Sequence, residues 1–134
     1  MTSGTNRAAW IAAGLVLLAG AALVAQAPAP TFSQDVAPIL RRECAKCHGE
    51  KEQKARLDLT GPRAYESLVN APSTEEKEIL RVKPGDPEAS YLWLKLEHRT
   101  AKGSGMPKGW FFASRLNEKD MAVIKSWILE GAKE

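Results

Sequence analysis

Cys44, Cys47 and His48 stand together in the stretch Cys44-Ala45-Lys46-Cys47-His48. Two thiols separated by two residues can each add across a vinyl group of a porphyrin, and the imidazole that follows at once can sit under the iron. This is the attachment pattern of c-type haem. The chain has 2 cysteines and 2 histidines, so the motif takes both of the former and one of the latter. The other chemistries of paired cysteines fit less well. A zinc site draws four protein ligands, often from two separated pairs, and no second cysteine pair exists. A thioredoxin-like dithiol needs a βαβ surrounding, whereas the residues before Cys44 read as helix.

A haem iron held by one histidine has a sixth position to fill, and a Met/His pair is the usual electron-transfer arrangement. Met106 is the candidate. It lies in Gly103-Ser104-Gly105-Met106-Pro107, where glycines let the backbone approach a porphyrin and Pro107 stiffens the segment that bears the sulfur. Met121 falls on or beside the apolar face of the last helix, where core packing accounts for it. His98, between Glu97 and Arg99, suits a solvated helix end, but would make a bis-histidine haem if it reached the iron. An open or water-bound position is the remaining alternative, and gas sensing or peroxidase chemistry would require it.

Trp93, Trp110, Phe111, Phe112 and Trp127 are many aromatics for so short a chain. Trp127 and Phe32 suit a core. Trp110 to Phe112 are consecutive, so helix periodicity cannot bury them together; they suit a haem-edge cover or a docking patch. Lys95, Arg99, Lys102 and Lys108 flank Met106, opposed only by Glu97. They read either as a solubilising loop or as a positive rim that would speed encounter with an acidic partner.

Residues 1–27 read as an export segment, with Arg7 before the apolar run Ala8 to Ala25. Covalent haem attachment takes place outside the bacterial cytoplasm, so an extracytoplasmic, periplasmic location is expected. Ala25-Gln26-Ala27 fits a cleavage site, although Pro28 follows it. The apolar run is also at the short limit for a membrane span, and Trp10 would suit an interface, so a retained anchor stays open. Residues 28–31 form a short Pro/Ala linker, and residues 32–134 are long enough for one domain with one core. The formal charge of the whole chain is +3, and two haem propionates would bring it close to neutral. That balance gives no support to nucleic-acid binding.

The elements that must position the site read as helices. Phe32 to Arg42 has Phe32, Val36, Ile39 and Leu40 at helical spacing, with Ser33 or Thr31 as cap and Pro38 tolerated only near the first turns. Gly49 lets the chain turn away from the haem motif, and Leu57-Asp58-Leu59 is a brief extended piece. Pro62 to Val69 predicts a helix with Tyr65, Leu68 and Val69 inward, and Thr74 to Leu80 predicts another turn or two. Asp86 is set to cap a helix over Glu88 to Glu97, with Tyr91, Leu92, Leu94 and Leu96 as its apolar residues. Asn117 caps the last helix, Glu118 to Glu130, which Gly131 closes and whose apolar face is Val123, Ile124, Trp127 and Ile128. The fold class is therefore all-α, a small helical domain around one haem.

The order of these pieces resembles the planctomycete-type cytochrome c domain. Asp35-Val36-Ala37-Pro38-Ile39-Leu40, the haem motif with Gly49, Leu57-Asp58-Leu59, Pro84-Gly85-Asp86-Pro87 with Ser90, Met106-Pro107, and Trp127-Ile128-Leu129-Glu130-Gly131-Ala132 carry the likeness over nearly all of residues 32–132. The resemblance implies a class I-like cytochrome c fold, one covalent haem c on Cys44 and Cys47, and His48 with Met106 on the iron. Two departures stand out: Lys108 where the family often has a second proline, and the aromatic insertion Gly109-Trp110-Phe111-Phe112. The expected activity is electron transfer between redox protein partners, with no small-molecule substrate and no enzyme activity. The alternative is the haem subunit of a larger extracytoplasmic dehydrogenase or respiratory complex.

Overall fold

Pro38 shapes the first element. A proline inside a helix has no N–H to donate, and its ring crowds the carbonyl four residues back. The chain forms a wide π turn over Phe32–Val36, in which Ala37 N–H reaches back to Phe32 O, and helix α1 follows over Ala37–Glu43 with Pro38 in its first turn. Of the two expected caps Thr31 is the one used: its hydroxyl accepts from Gln34 N–H at 3.3 Å. The computed structural model describes residue 1, residues 28–108 and residues 114–134. The expected export or anchor segment beyond Met1, and the aromatic group Trp110 to Phe112, lie outside the described residues.

Helix α2 covers Ala64–Leu68, shorter than the sequence predicts, because Pro62 and Arg63 form a lead-in turn. Helices α3, Tyr91–Leu96, and α4, Glu118–Leu129, complete the set. Among the described residues there is no strand, only isolated bridges, so the all-helical reading holds for them. None of these helices is long and apolar enough to cross a membrane.

The last helix starts where expected and ends one residue early, at Leu129, with Glu130 as its cap. Asn117 Oδ1 accepts from Asp120 N–H at 2.9 Å. At the far end Gly131, with φ of 95°, lets Ala132 N–H return to Trp127 O at 2.8 Å. Ile124, Trp127 and Ile128 are fully buried, each worth about 1.5–3 kcal/mol of apolar transfer. Met121 packs against the same core, as expected. Phe32 stacks at 5.7 Å from Trp127 and 5.4 Å from Tyr65 between ring centroids. Lys133 O accepts from both Phe32 N–H at 2.8 Å and Trp127 Nε1–H at 2.7 Å. The first helix is thus sewn to the last, and an Arg42–Asp120 ion pair adds a second tie between α1 and α4.

Two sequence expectations need correction. Thr74 to Leu80 is not helical: Ser73 Oγ accepts from Glu75 N–H and Glu76 N–H, and bridges pair Pro72 with Leu80 and Leu80 with Ser90. That segment has no apolar stripe to pay for a helix, and its backbone finds partners in its neighbours instead. The expected helix over Glu88 to Glu97 is split. Asp86 does cap, accepting from Ala89 N–H at 3.0 Å, but it caps a 3₁₀ turn, Pro87–Ala89. Ser90 is then extended (φ −106°, ψ 115°) before α3 begins. Its buried hydroxyl donates to Asp86 O at 2.7 Å and accepts from Lys83 N–H at 2.9 Å, which competes with helical continuation. Of the expected apolar set Tyr91 and Leu96 are buried, whereas Trp93 and Lys95 take the places expected for Leu92 and Leu94.

Candidate haem site

Helix α1 ends where the site begins. Cys44 N–H still bonds Leu40 O at 2.9 Å, and both Cys47 N–H and His48 N–H then turn back onto Cys44 O, at 3.1 and 2.8 Å. This tight coil places the two thiols and the imidazole on one short piece of backbone. Gly49 is required by that coil: a Cβ there would lie 2.5 Å from Ala45 O, a backbone atom that cannot move aside. The chain then makes a hairpin-like return, with Gly49 N–H donating to Glu52 O at 2.8 Å and Lys54 N–H to Cys47 O at 2.9 Å.

The return sets the chemistry of His48. Its Nδ1 lies 2.9 Å from Lys54 O, a carbonyl that can only accept. Nδ1 therefore carries the proton, and Nε2 keeps its lone pair for a metal. The next two residues, Ala55 and Arg56, both have positive φ, 55° and 54°. Such conformations cost about 1–3 kcal/mol for non-glycine residues and concentrate at functional sites. Here they turn the chain just after the carbonyl that orients His48, and bring Ala55 and Leu57 to the cavity wall.

Cys44, His48 and Met106 line one cavity that is open on one side to solvent. Leu57, Leu59, Leu68, Leu92 and Leu96 make its apolar wall. Cys47 is half-buried beside it and is not part of the wall; Lys54 Nζ lies 3.8 Å from its sulfur. Both thiols are free. Burial, with Glu43 adding to it, pushes the Cys44 thiol up to about 11, so the position favours an uncharged sulfur such as a thioether. Among the described residues no group of three or more His, Cys, Asp or Glu side chains is placed to hold a metal ion.

Met106 reaches the cavity from a loop without secondary structure, anchored by its N–H to Lys95 O at 2.9 Å. His98 is not part of the wall. It adopts φ of 60° and ends α3 as a left-handed cap, with its own N–H on Lys95 O and Arg99 N–H on Leu94 O. Its helix-end position is as expected, but its ring is not solvated: Nε2 is buried without a partner among the described residues, and the ring packs on Gly105. Trp93 is buried in the core and does not line the cavity.

The polar side of the cavity was not foreseen. Ser73, Thr74, Glu75, Arg81, Tyr91 and Lys95 lie there. Lys95 is buried and ion-paired with Glu75, so it does not belong to the expected positive rim. Arg99 is also removed from that rim, because it pairs with Glu88 and Glu97. Lys102 and Lys108 remain exposed. Arg81 donates to Ser67 O at 2.8 Å, and no carboxylate among the described residues pairs with it. Burial alone pulls its guanidinium below the ordinary arginine value.

A family model described as Cytochrome c matches residues 24–132. The chain belongs to the cytochrome c family. No curated protein and no solved structure gives a significant match. Membership implies covalently bound haem c, electron transfer with redox protein partners and an extracytoplasmic setting, and such domains are typically carriers rather than enzymes. The residues present fit that group: two free thiols at the attachment spacing, an imidazole with Nε2 available, a leucine-walled cavity, and a half-buried arginine lacking an anion.

Proposed function

We propose that this cytochrome c is a mono-haem electron carrier of the planctomycete type. Cys44 and Cys47 would hold the haem, with His48 Nε2 and Met106 Sδ as the two side-chain donors to its iron. Bound haem supplies a one-electron Fe(III)/Fe(II) couple. The observation that carries the reading is the convergence of His48, in a fixed tautomer, and Met106 on one apolar cavity beside the free Cys44.

Each residue has a defined task. Lys54 O orients the His48 ring and keeps the proton on Nδ1. The leucine wall excludes water, which favours the thioether sulfur of methionine over a water ligand. Arg81, with the hydroxyls of Ser73 and Thr74, suits the two propionate carboxylates, since a guanidinium offers donors in a fork. Residues 1–27 act as the export leader or as a retained anchor, 28–31 as a spacer and 32–134 as the carrier domain.

The test is Met106→Ala in the full chain. The haem should stay on the polypeptide through denaturing electrophoresis, the far-red sulfur-to-iron(III) band should vanish, and the reduction potential should fall, since Met/His ligation raises it. An unchanged spectrum would move the sixth ligand to His98 or Met121. Release of haem on denaturation would remove the attachment claim itself.

A further inference from the structure

Lys95 is a buried charge on the cavity wall, its side chain 9% exposed. Such a charge is retained only where its hydrogen bonds are met. An ammonium has three protons, and Lys95 Nζ has three acceptors: the Glu75 carboxylate, Ser104 O at 3.0 Å and Lys102 O at 3.4 Å. Two of these are backbone carbonyls of the loop that carries Met106. The backbone of the same residue holds the loop a third time, because Lys95 O accepts from Met106 N–H.

We propose that Lys95 is a positioning residue for the sixth ligand: its ammonium, held by Glu75 and Tyr91, pins residues 102–104 and thereby keeps Met106 in the cavity. The inference rests on the reading of Met106 as that ligand.

The surroundings support a clamp rather than incidental packing. Residues 101–104 are exposed and form no helix or strand, so the loop has little of its own to fix it. Tyr91 sits under the ammonium, 5.0 Å from ring centroid to Nζ, and its hydroxyl lies 2.6 Å from Glu75 Oε2 and 3.0 Å from Lys102 O. Lys102 N–H also donates to Glu76 Oε1 at 3.2 Å. Gly103, with φ of 71°, lies directly on the ion pair: a Cβ there would fall 2.6 Å from both Glu75 Oε2 and Lys95 Nζ. Hydrogen bonds from Lys95 and Tyr91 hold the Glu75 carboxyl below its usual range, so it stays ionised and keeps its grip on the ammonium. A methionine at position 95 would fill similar volume, yet could not bond the two carbonyls.

The test uses full-chain holoprotein of Lys95→Met and Glu75→Gln, with Met106→Ala as reference. Lys95→Met should retain covalent haem but weaken the far-red band. Added imidazole should displace the sixth ligand about tenfold faster or more, as loss of a charge-assisted hydrogen bond implies. Glu75→Gln should shift both readouts in the same direction by less. A merely structural lysine would lower the denaturation midpoint and leave band and imidazole rate unchanged. If Met106→Ala abolishes the band while both clamp variants keep the wild-type band and rate, the positioning role is overturned and the ligation stands. If Met106→Ala leaves the band intact, the ligation reading falls and takes the clamp with it. Should Lys95→Met fail to load haem, Glu75→Gln and Tyr91→Phe decide by the same two readouts, wild-type values in both overturning the proposal.

Discussion

Ser90→Ala is the sharpest test of how the fold aims α3 at the cavity. The residue is 0% exposed, and its hydroxyl accepts from Lys83 N–H, at 2.9 Å, and donates to Asp86 O, at 2.7 Å, across the break before α3. Removing it leaves a part-buried N–H without its acceptor and takes a donor from a part-buried carbonyl. An orphaned buried donor costs about 1–3 kcal/mol, so the pair should cost about 2–3 kcal/mol. A domain of this size has about 5–15 kcal/mol in total. The thermal midpoint should drop by about 8–24 °C, at ~4–8 °C per kcal/mol. A thermal melt of the holoprotein reads that shift, and guanidinium unfolding followed by tryptophan fluorescence reads the free energy, with the slope unchanged if the loss lies in the native state. Ser67→Ala is the control: its hydroxyl only bonds back to Ala64 O within α2, at 2.8 Å, and its loss should cost under about 1 kcal/mol. A Ser90→Ala loss no larger than the control's would refute the reasoning, because the hydroxyl would then be dispensable to the joint.

Gly105→Ala should weaken the far-red band while haem stays attached, since its Cβ would lie 2.3 Å from His98 Cγ; overpacking of this kind costs about 1–3 kcal/mol. Unchanged band and stability would show that the loop yields freely. Thr60 N–H, the Thr60 hydroxyl and Gly61 N–H hold the Asp58 carboxyl below its ordinary value. Its stabilisation is therefore present above the unfolded-state value and lost as pH falls through the lower folded one. Asp58→Asn should flatten that part of the acid limb in a stability-against-pH curve, and coincident acid limbs would count against it. Lys102 and Lys108 are the exposed remainder of the positive rim. Electron transfer to an acidic partner should slow as ionic strength rises, and Lys102→Glu with Lys108→Glu should weaken that dependence; a rate indifferent to salt in both proteins removes the rim from consideration.

What the sequence disclosed was short-range. Thr31, Asp86, Asn117 and Gly131 act on groups three to five residues away, and all four cap as their residue types imply. The haem motif is contiguous, so its coil is local too. The failures turned on partners that residue type does not announce. Lys95 reads as a surface charge because every neighbour in sequence permits it, and its burial depends on Glu75 and on carbonyls of residues 102 and 104. Ser90 reads as one polar residue in a helix, and the acceptor and donor that break the helix come from residues 86 and 83. Lys54 was invisible as the orienter of His48 because its backbone carbonyl, not its side chain, does the work. The glycine loop and the family resemblance both pointed to Met106 without supplying what holds it.

These differences in range predict a difference in lability between the two faces of the site. The attachment face is one continuous segment, Cys44 to Lys54, closed by backbone hydrogen bonds and fixed further by two thioether bonds once haem is joined. It carries its own geometry into any conformation in which the haem stays attached. The Met106 face is assembled from three separate segments, around residues 75, 91–95 and 102–106, through side-chain bonds to carbonyls. Bringing them together costs loop entropy that only the folded core repays. Partial unfolding should therefore release the sixth ligand before it disturbs His48. In a denaturant series the far-red band should be lost at lower denaturant than the core tryptophan signal reports, and Lys95→Met should widen that gap. Coincident loss of both signals in wild type and variant would mean that the loop and the core unfold as one unit, and that the clamp adds no separate step.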